Sequence, residues 1–230
     1  MAWLLRCTSY AEDCGMRKTV NNKRQAGFST LELLVVIAMS VIITAIAVPS
    51  YLNTASYFRA AGDLRSITAL VAQAKMRAAG DFTHARVYAD LANNTYQLQV
   101  WSKTGSCWFS DTDPTSACLT YSLSAPSGTV FPLAQGDTFG LGGLTSGPTA
   151  GQTTAAQATG CLNNGTTTIG NTACIMFNSR GIPIDNAGQP VATGALYLTN
   201  GRLVDVVTVS ATGSIQSWSS PKGAANWMNQ

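Results

Sequence analysis

Lys23-Arg24-Gln25-Ala26-Gly27-Phe28-Ser29-Thr30-Leu31-Glu32 leads directly into Leu33–Pro49, 17 residues without a charged side chain. Counted from Phe28, the segment approaches the roughly 20 residues that a bilayer-spanning helix needs. Arg17, Lys18, Lys23 and Arg24 precede it, and basic residues hold that flank on the cytoplasmic side. The pattern predicts a single membrane helix with its N-terminus inside and the rest of the chain outside. An ordinary secretory signal is cut after its apolar stretch, whereas here the small pair Ala26-Gly27 lies before it. A cut there leaves the helix on the mature chain. Within that helix Glu32 stands out, because an unpaired carboxylate in a membrane costs at least about 2.5 kcal/mol. It is a functional candidate, and its competing role is to favour the positive end of the helix dipole. Pro49 removes one backbone donor and is expected to kink or locally open the helix, or to mark the membrane exit.

Gly27, Phe28, Leu31, Glu32 and Leu33, followed by Pro49 and Tyr51, resemble the N-terminal signal of the type IV pilin superfamily. The resemblance implies that a prepilin peptidase cuts between Gly27 and Phe28 and methylates the new N-terminal phenylalanine. It also implies that Glu32 pairs with the N-terminal amine of a neighbouring subunit during assembly, with Pro49 beyond it in the same helix. Localisation follows on the same terms: a single pass through a bacterial inner membrane, N-terminus cytoplasmic, then a periplasmic or extracellular filament. Residues 1–27 are thus a leader. Its first fifteen residues look like no leader, and translation is expected to start at Met16, which leaves Cys7 and Cys14 without a role.

The formal charge of +3 says little about partners. The leader holds five basic and two acidic residues, and the remaining chain has nine of each. A neutral mature chain exerts no overall pull on nucleic acid or acidic lipid. Removing the leader leaves 203 residues, about 50 of them in one long N-terminal helix, and thus one soluble domain of ordinary size. Cys107, Cys118, Cys161 and Cys174 remain, and an even number in an exported chain favours disulfides. Proximity favours Cys107–Cys118 and Cys161–Cys174, though four cysteines allow three pairings. A zinc site is the alternative, but CxxC pairs are missing and His84 is the only histidine, so neither metal nor cofactor is expected.

The fold class expected is α+β, with the long helix packed on an antiparallel sheet. Residues 28–53 form its hydrophobic part, 54–80 its second half, and 81–230 a β-rich region, so that 54–230 is the soluble domain. Leu64, Ile67, Val71, Ala74 and Ala78 recur at three- and four-residue steps and mark a buried face, and Gly80 is the expected terminator. Strand candidates follow at Arg86–Tyr88, Tyr96–Trp101 and Leu119–Leu123. Leu133–Gly170, rich in Gly, Thr, Ala and Gln, is expected to be a long surface loop or insertion. Later strands are expected at Cys174–Phe177, Gly194–Leu198, Leu203–Val209 and Gly213–Trp218, with turns at Thr199–Arg202 and Ala211–Gly213. Phe177, Arg180-Gly181, Gly194, Val206–Val209 and Gly213 in this series resemble the GspH/FimT branch of the superfamily.

That resemblance implies a minor pilin, with other major and minor pilins, the prepilin peptidase and the inner-membrane assembly platform as partners. A type II secretion pseudopilin shares every feature named. DNA capture is a further possibility, since some FimT members bind DNA through a Gly-Arg-x-Arg motif. The matching residues here are Gly213-Ser214-Ile215-Gln216, without either arginine, leaving Arg180, Arg202 and Lys222 as candidate phosphate contacts. An enzyme is not expected: His84 has no nucleophile-elbow pattern to serve, and Asp111 and Asp113 sit beside Pro114 in a predicted turn. Trp218, Trp227 and Met228 are candidates either for a docking surface or for closing the domain's own core.

Overall fold

The computed structural model describes residues 28–112, 118–119, 130–150 and 153–230. It is an α+β chain with one long helix, α1 (Thr30–Gly80), followed by antiparallel strands. The chain divides into two compact units, one ending at Ala47 and one from Val48 to Gln230. The expected leader, Asp113, Pro114 and most of the expected strand at 119–123 lie outside the described residues.

α1 begins at Ser29, whose Oγ accepts the Leu31 amide at 3.3 Å and whose carbonyl accepts the Leu33 amide. Serine is a favoured residue for that position. Pro49 lies inside α1, which continues past it to Gly80. One backbone donor is lost there, but the bonds of the flanking turns hold the conformation. At the other end α1 stops at Gly80, as expected, and the reversal that follows comes two residues later. The left-handed conformation falls on Phe82 (φ 50°), and the Thr83 amide closes back onto the Ala78 carbonyl at 3.1 Å. A large side chain thus occupies the position that glycine usually takes, tolerated because Phe82 projects into solvent.

From Ala60 onward α1 is amphipathic. Ala60, Leu64, Ile67, Leu70, Val71, Ala74 and Ala78 are buried, including all five residues of the expected stripe. Two sheets, rather than the single one expected, receive that face. In the first, β1 (Ala85–Asp90) lies between β2 (Thr95–Ser102) and β8 (Thr172–Phe177), with β3 (Cys107–Ser110) and β4 (Phe131–Pro132) on β2 and β9 (Pro183–Ile184) on β8. In the second, β11 (Leu203–Ser210) lies between β10 (Thr193–Thr199) and β12 (Ile215–Pro221), with β5 (Thr138–Phe139) and β13 (Met228–Asn229) on the edges. Strand alternation puts Val87, Leu98, Ile175 and Phe177 of the first sheet, and Leu196, Leu198, Val207 and Val209 of the second, in one cluster with the helix.

Residues 133–170 are not simply a surface loop. Leu144 and Ala155 are buried against Tyr197, Val204 and Val206 on the outer face of the second sheet. The Gly140 amide donates to the Tyr197 carbonyl and the Ala158 amide to the Ala195 carbonyl, and β6 (Thr149–Ala150) pairs with β7 (Thr153–Thr154). Composition concealed this, because single leucines among glycines and threonines carry no period. Trp218 and Trp227 pack on the same cluster, with Trp218 Nε1 donating to Thr208 Oγ1 and Trp227 Nε1 to the Ser146 carbonyl. Both indoles close the domain's own core. Met228 is exposed.

Polar contacts fix the helix against its surroundings. Lys75 Nζ donates to the Gly213 carbonyl at 2.9 Å, and its aliphatic stem passes Gly181. Gly181 (φ +70°) and Gly213 (φ +75°) are both left-handed, and a Cβ on Gly213 would meet the Gly181 carbonyl oxygen at 2.7 Å. Farther toward the helix N-terminus, Asp63 Oδ2 accepts the Ala134 amide at 2.7 Å and Arg59 Nη1 donates to the Gln135 carbonyl. Asp137 is buried beside Asp63, and its Oδ2 has no hydrogen-bond partner. Burial first, then the Asp63 carboxylate and more weakly that of Asp205, push the Asp137 carboxyl up to about 7, with Arg59 opposing. Asp205 is itself buried and accepts a hydrogen bond from Ser219 Oγ.

Gly213→Ala should destabilise the fold by about 2 kcal/mol or more, through left-handed strain and the clash with backbone. Gly188→Ala is the control: it has φ +78° with open space around it and should cost about 1 kcal/mol from strain alone. Denaturant titration of the full chain in detergent, followed by tryptophan fluorescence, separates the two. For Asp137, a raised folded-state value means that the folded chain holds its proton where the unfolded chain has released it. Its contribution therefore falls as pH rises from about 4 to about 7 and is level above that. Asp137→Asn should flatten that decline, checked by melting temperature across the same pH range.

Candidate functional site

Phe28, Glu32 and the apolar run share one property: every residue from Phe28 to Thr54 is exposed. Leu31, Ile37 and Ile46 are 71%, 50% and 72% exposed, at positions spread around the helix. An uncharged helical surface that is apolar on all sides needs a membrane or other apolar segments as its surroundings. By length and composition, this helix can cross a membrane. Glu32 lies in its first turn, three residues after Ser29, which is the capping-box arrangement. Its carboxylate makes no hydrogen bond or ion pair among the described residues. The dipole role is therefore geometrically available, and so is a partner from another chain. Gly27 lies outside the described residues.

The cysteines pair locally. Cys107 is bonded to Cys118 and Cys161 to Cys174, with Cα separations of 5.6 and 5.1 Å. No group of three or more metal-binding side chains occurs among the described residues.

The three basic candidates are exposed but are not brought together. The Lys222 amide donates to the Arg202 carbonyl at 2.8 Å, so these two residues flank the same end of β11 and β12. Arg180 precedes Gly181, which abuts Gly213 at the opposite end of those strands. Eight residues of β11 separate the two ends by roughly 25 Å. Gly181, the residue after Arg180, abuts the side chain of Lys75, whose ammonium is committed to the Gly213 carbonyl. Asp111 is likewise committed, receiving Arg77 Nη2 at 2.9 Å and Gln73 Nε2 at 3.2 Å from α1.

Sequence reasoning missed a cavity on the outer face of the first sheet, with a volume of about 150 Å³. Trp101 and Trp108 are opposite each other on β2 and β3 and meet edge to face at 5.2 Å. Beside them Arg86 is 1% exposed. Its Nε donates to Gln99 Oε1 at 2.8 Å, its Nη1 donates to the Leu162 carbonyl at 2.7 Å, and its guanidinium lies 3.9 Å from the Trp108 ring centre. One wall is a small hairpin in which Leu162 bridges Thr168. The Cys161–Cys174 bond anchors it at one end, and at the other Asn164 Oδ1 accepts the Trp108 amide while Nδ2 donates to the Leu119 carbonyl. The facing wall is the Asp185–Gly188 turn, with Asn186 and Gly188 on the cavity. His84 stands exposed at the rim. The strand alternation that sets Arg86, Gln99 and Trp101 on one face was readable in the sequence. The hairpin that roofs them was hidden in the low-complexity stretch. Compared with known proteins, the chain matches no family model, no curated protein and no solved structure.

Proposed function

We propose that this chain is a pilin-class filament subunit, a minor pilin or the equivalent pseudopilin of a type II secretion filament. The observation that carries the proposal is the Gly27-Phe28 junction with Glu32, placed before an apolar helix whose first half finds no cover within its own domain. Cleavage before Phe28 would leave that helix on the mature protein, anchored in the inner membrane with its N-terminus in the cytoplasm. Burial among the helices of neighbouring subunits would then supply the apolar surroundings, and Glu32 would meet a neighbour's terminal amine. From Ala60 onward the helix is committed to its own core, so the domain would ride outside the filament axis. Prepilin peptidase, an inner-membrane assembly platform and other pilins are the partners this requires. A role in DNA capture finds little support, since Arg180 stands apart from Arg202 and Lys222.

Two measurements test the proposal. Mass spectrometry of the mature chain from its native host should find N-methylphenylalanine at Phe28 as the first residue. A terminus anywhere upstream, or beyond Pro49, sinks the proposal. Glu32→Gln should reduce recovery in sheared filaments as strongly as Glu32→Ala, at least tenfold, with membrane levels unchanged. Normal incorporation of Glu32→Gln would show that assembly does not need the Glu32 charge, and would overturn its pairing with a neighbour's amine.

A further inference from the structure

The cavity over the first sheet has a wall chemistry that selects among ligands, and none of its lining residues belongs to α1. Its volume, about 150 Å³, is well below the roughly 300–1,000 Å³ of pockets for drug-sized molecules. One six-membered ring with its substituents fills such a space. Arg86 is not positioned as an anion trap, because the guanidinium is buried and already donates to Gln99 and Leu162 while stacking on Trp108. The groups left for a ligand are neutral and mixed. Neither indole N–H of Trp101 or Trp108 has a partner among the described residues. Asn163 spends its Oδ1 on the Gly165 amide at 2.8 Å and keeps its NH₂. Asn186 does the reverse, donating Nδ2 to the Gly160 carbonyl at 2.8 Å and keeping its oxygen. Burial first, and then the Lys103 ammonium, hold the His84 imidazole below its ordinary value. This favours the neutral imidazole, which offers one donor and one acceptor.

Donors and acceptors spaced around an aromatic wall suit a ring that carries hydroxyls at its rim and C–H bonds on its face. The negative face of an indole attracts such polarised C–H groups, and half-buried Trp101 retains ring surface at the cavity. A purely apolar ligand would leave the amide and imidazole groups that it covers without partners, an unfavourable exchange. The geometry points to a saccharide-binding site that takes one neutral pyranose unit, stacked on Trp101 and hydrogen-bonded by His84, Asn163 and Asn186. The clamped hairpin supplies pre-organisation: the Cys161–Cys174 bond and both ends of the Asn164 amide fix the wall before any ligand arrives. The site is independent of the filament assignment and stands or falls separately from it.

The test uses the full chain in a zwitterionic, sugar-free detergent, with methyl glycosides of glucose, galactose and N-acetylglucosamine as probes. Saturation-transfer NMR and calorimetry should show saturable binding of at least one, with a dissociation constant on the order of 1–10 mM. Trp101→Ala should abolish it. His84→Ala alters an exposed rim residue without touching the core and should weaken binding about fivefold, the loss expected for one hydrogen bond. Trp227→Ala, which removes an indole packed against the other sheet, should leave binding unchanged. The proposal is overturned if none of the three glycosides binds saturably, or if binding survives both Trp101→Ala and His84→Ala. Equal loss in Trp227→Ala overturns it as well, because binding would then follow general damage instead of the cavity.

Discussion

Everything in the soluble domain depends on one apolar stripe, the Leu64–Ala78 face of α1. Neither sheet covers its own inner surface. Phe177 and Val87 of the first sheet and Leu196 and Val207 of the second are fully buried only because they share a cluster with Ile67, Val71 and Ala74. Fully burying each such aliphatic or aromatic side chain contributes about 1.5–3 kcal/mol, and the helix supplies the partner surface for two sheets at once. The Lys75–Gly213 bond and the Asp63–Ala134 bond add little energy by comparison. They fix which way the stripe faces and how far along the sheets it sits.

The same helix explains how much of the fold could be read in advance. The stripe at Leu64, Ile67, Val71, Ala74 and Ala78 has helical period, and the strands at Leu203–Val209 and Gly194–Leu198 alternate between glycine or asparagine turns; all of these were legible. Period is a local signal, and the local elements followed it. What could not be read were contacts without period. Leu144 and Ala155 reach the second core from a stretch whose composition describes a loop. The turn after α1 falls on Phe82, although Gly80 was the residue with the freer backbone, because the Thr83–Ala78 bond sets where the chain reverses.

The candidate sites divide along similar lines. The apolar helix after Gly27-Phe28 was legible as a segment long enough to cross a membrane, and Glu32 draws attention within it because membrane burial penalises a charge heavily. Basic residues on a soluble surface carry no such penalty. Arg180, Arg202 and Lys222 were grouped for their charge, and strand length then placed them at opposite ends of one hairpin. Arg86 is the reverse case. An arginine in an alternating strand reads as a solvent-facing residue, yet a disulfide-anchored hairpin covers it and makes it part of a wall.

The pairing of β1 with β8 joins Ala85–Asp90 to Thr172–Phe177, and it sets the order in which the domain can close. A chain emerging N-terminus first presents α1, β1, β2 and β3 long before β8. Throughout that interval one edge of β1 is an open hydrogen-bonding template, and the stripe of α1 lacks half of its cover. Contacts this distant in sequence also slow folding. Cys107 and Cys118 can meet early, whereas Cys161 meets Cys174 only once β8 has arrived. The second disulfide therefore marks the end of a vulnerable period, during which the nascent domain relies on its surroundings to keep β1 from pairing with another chain.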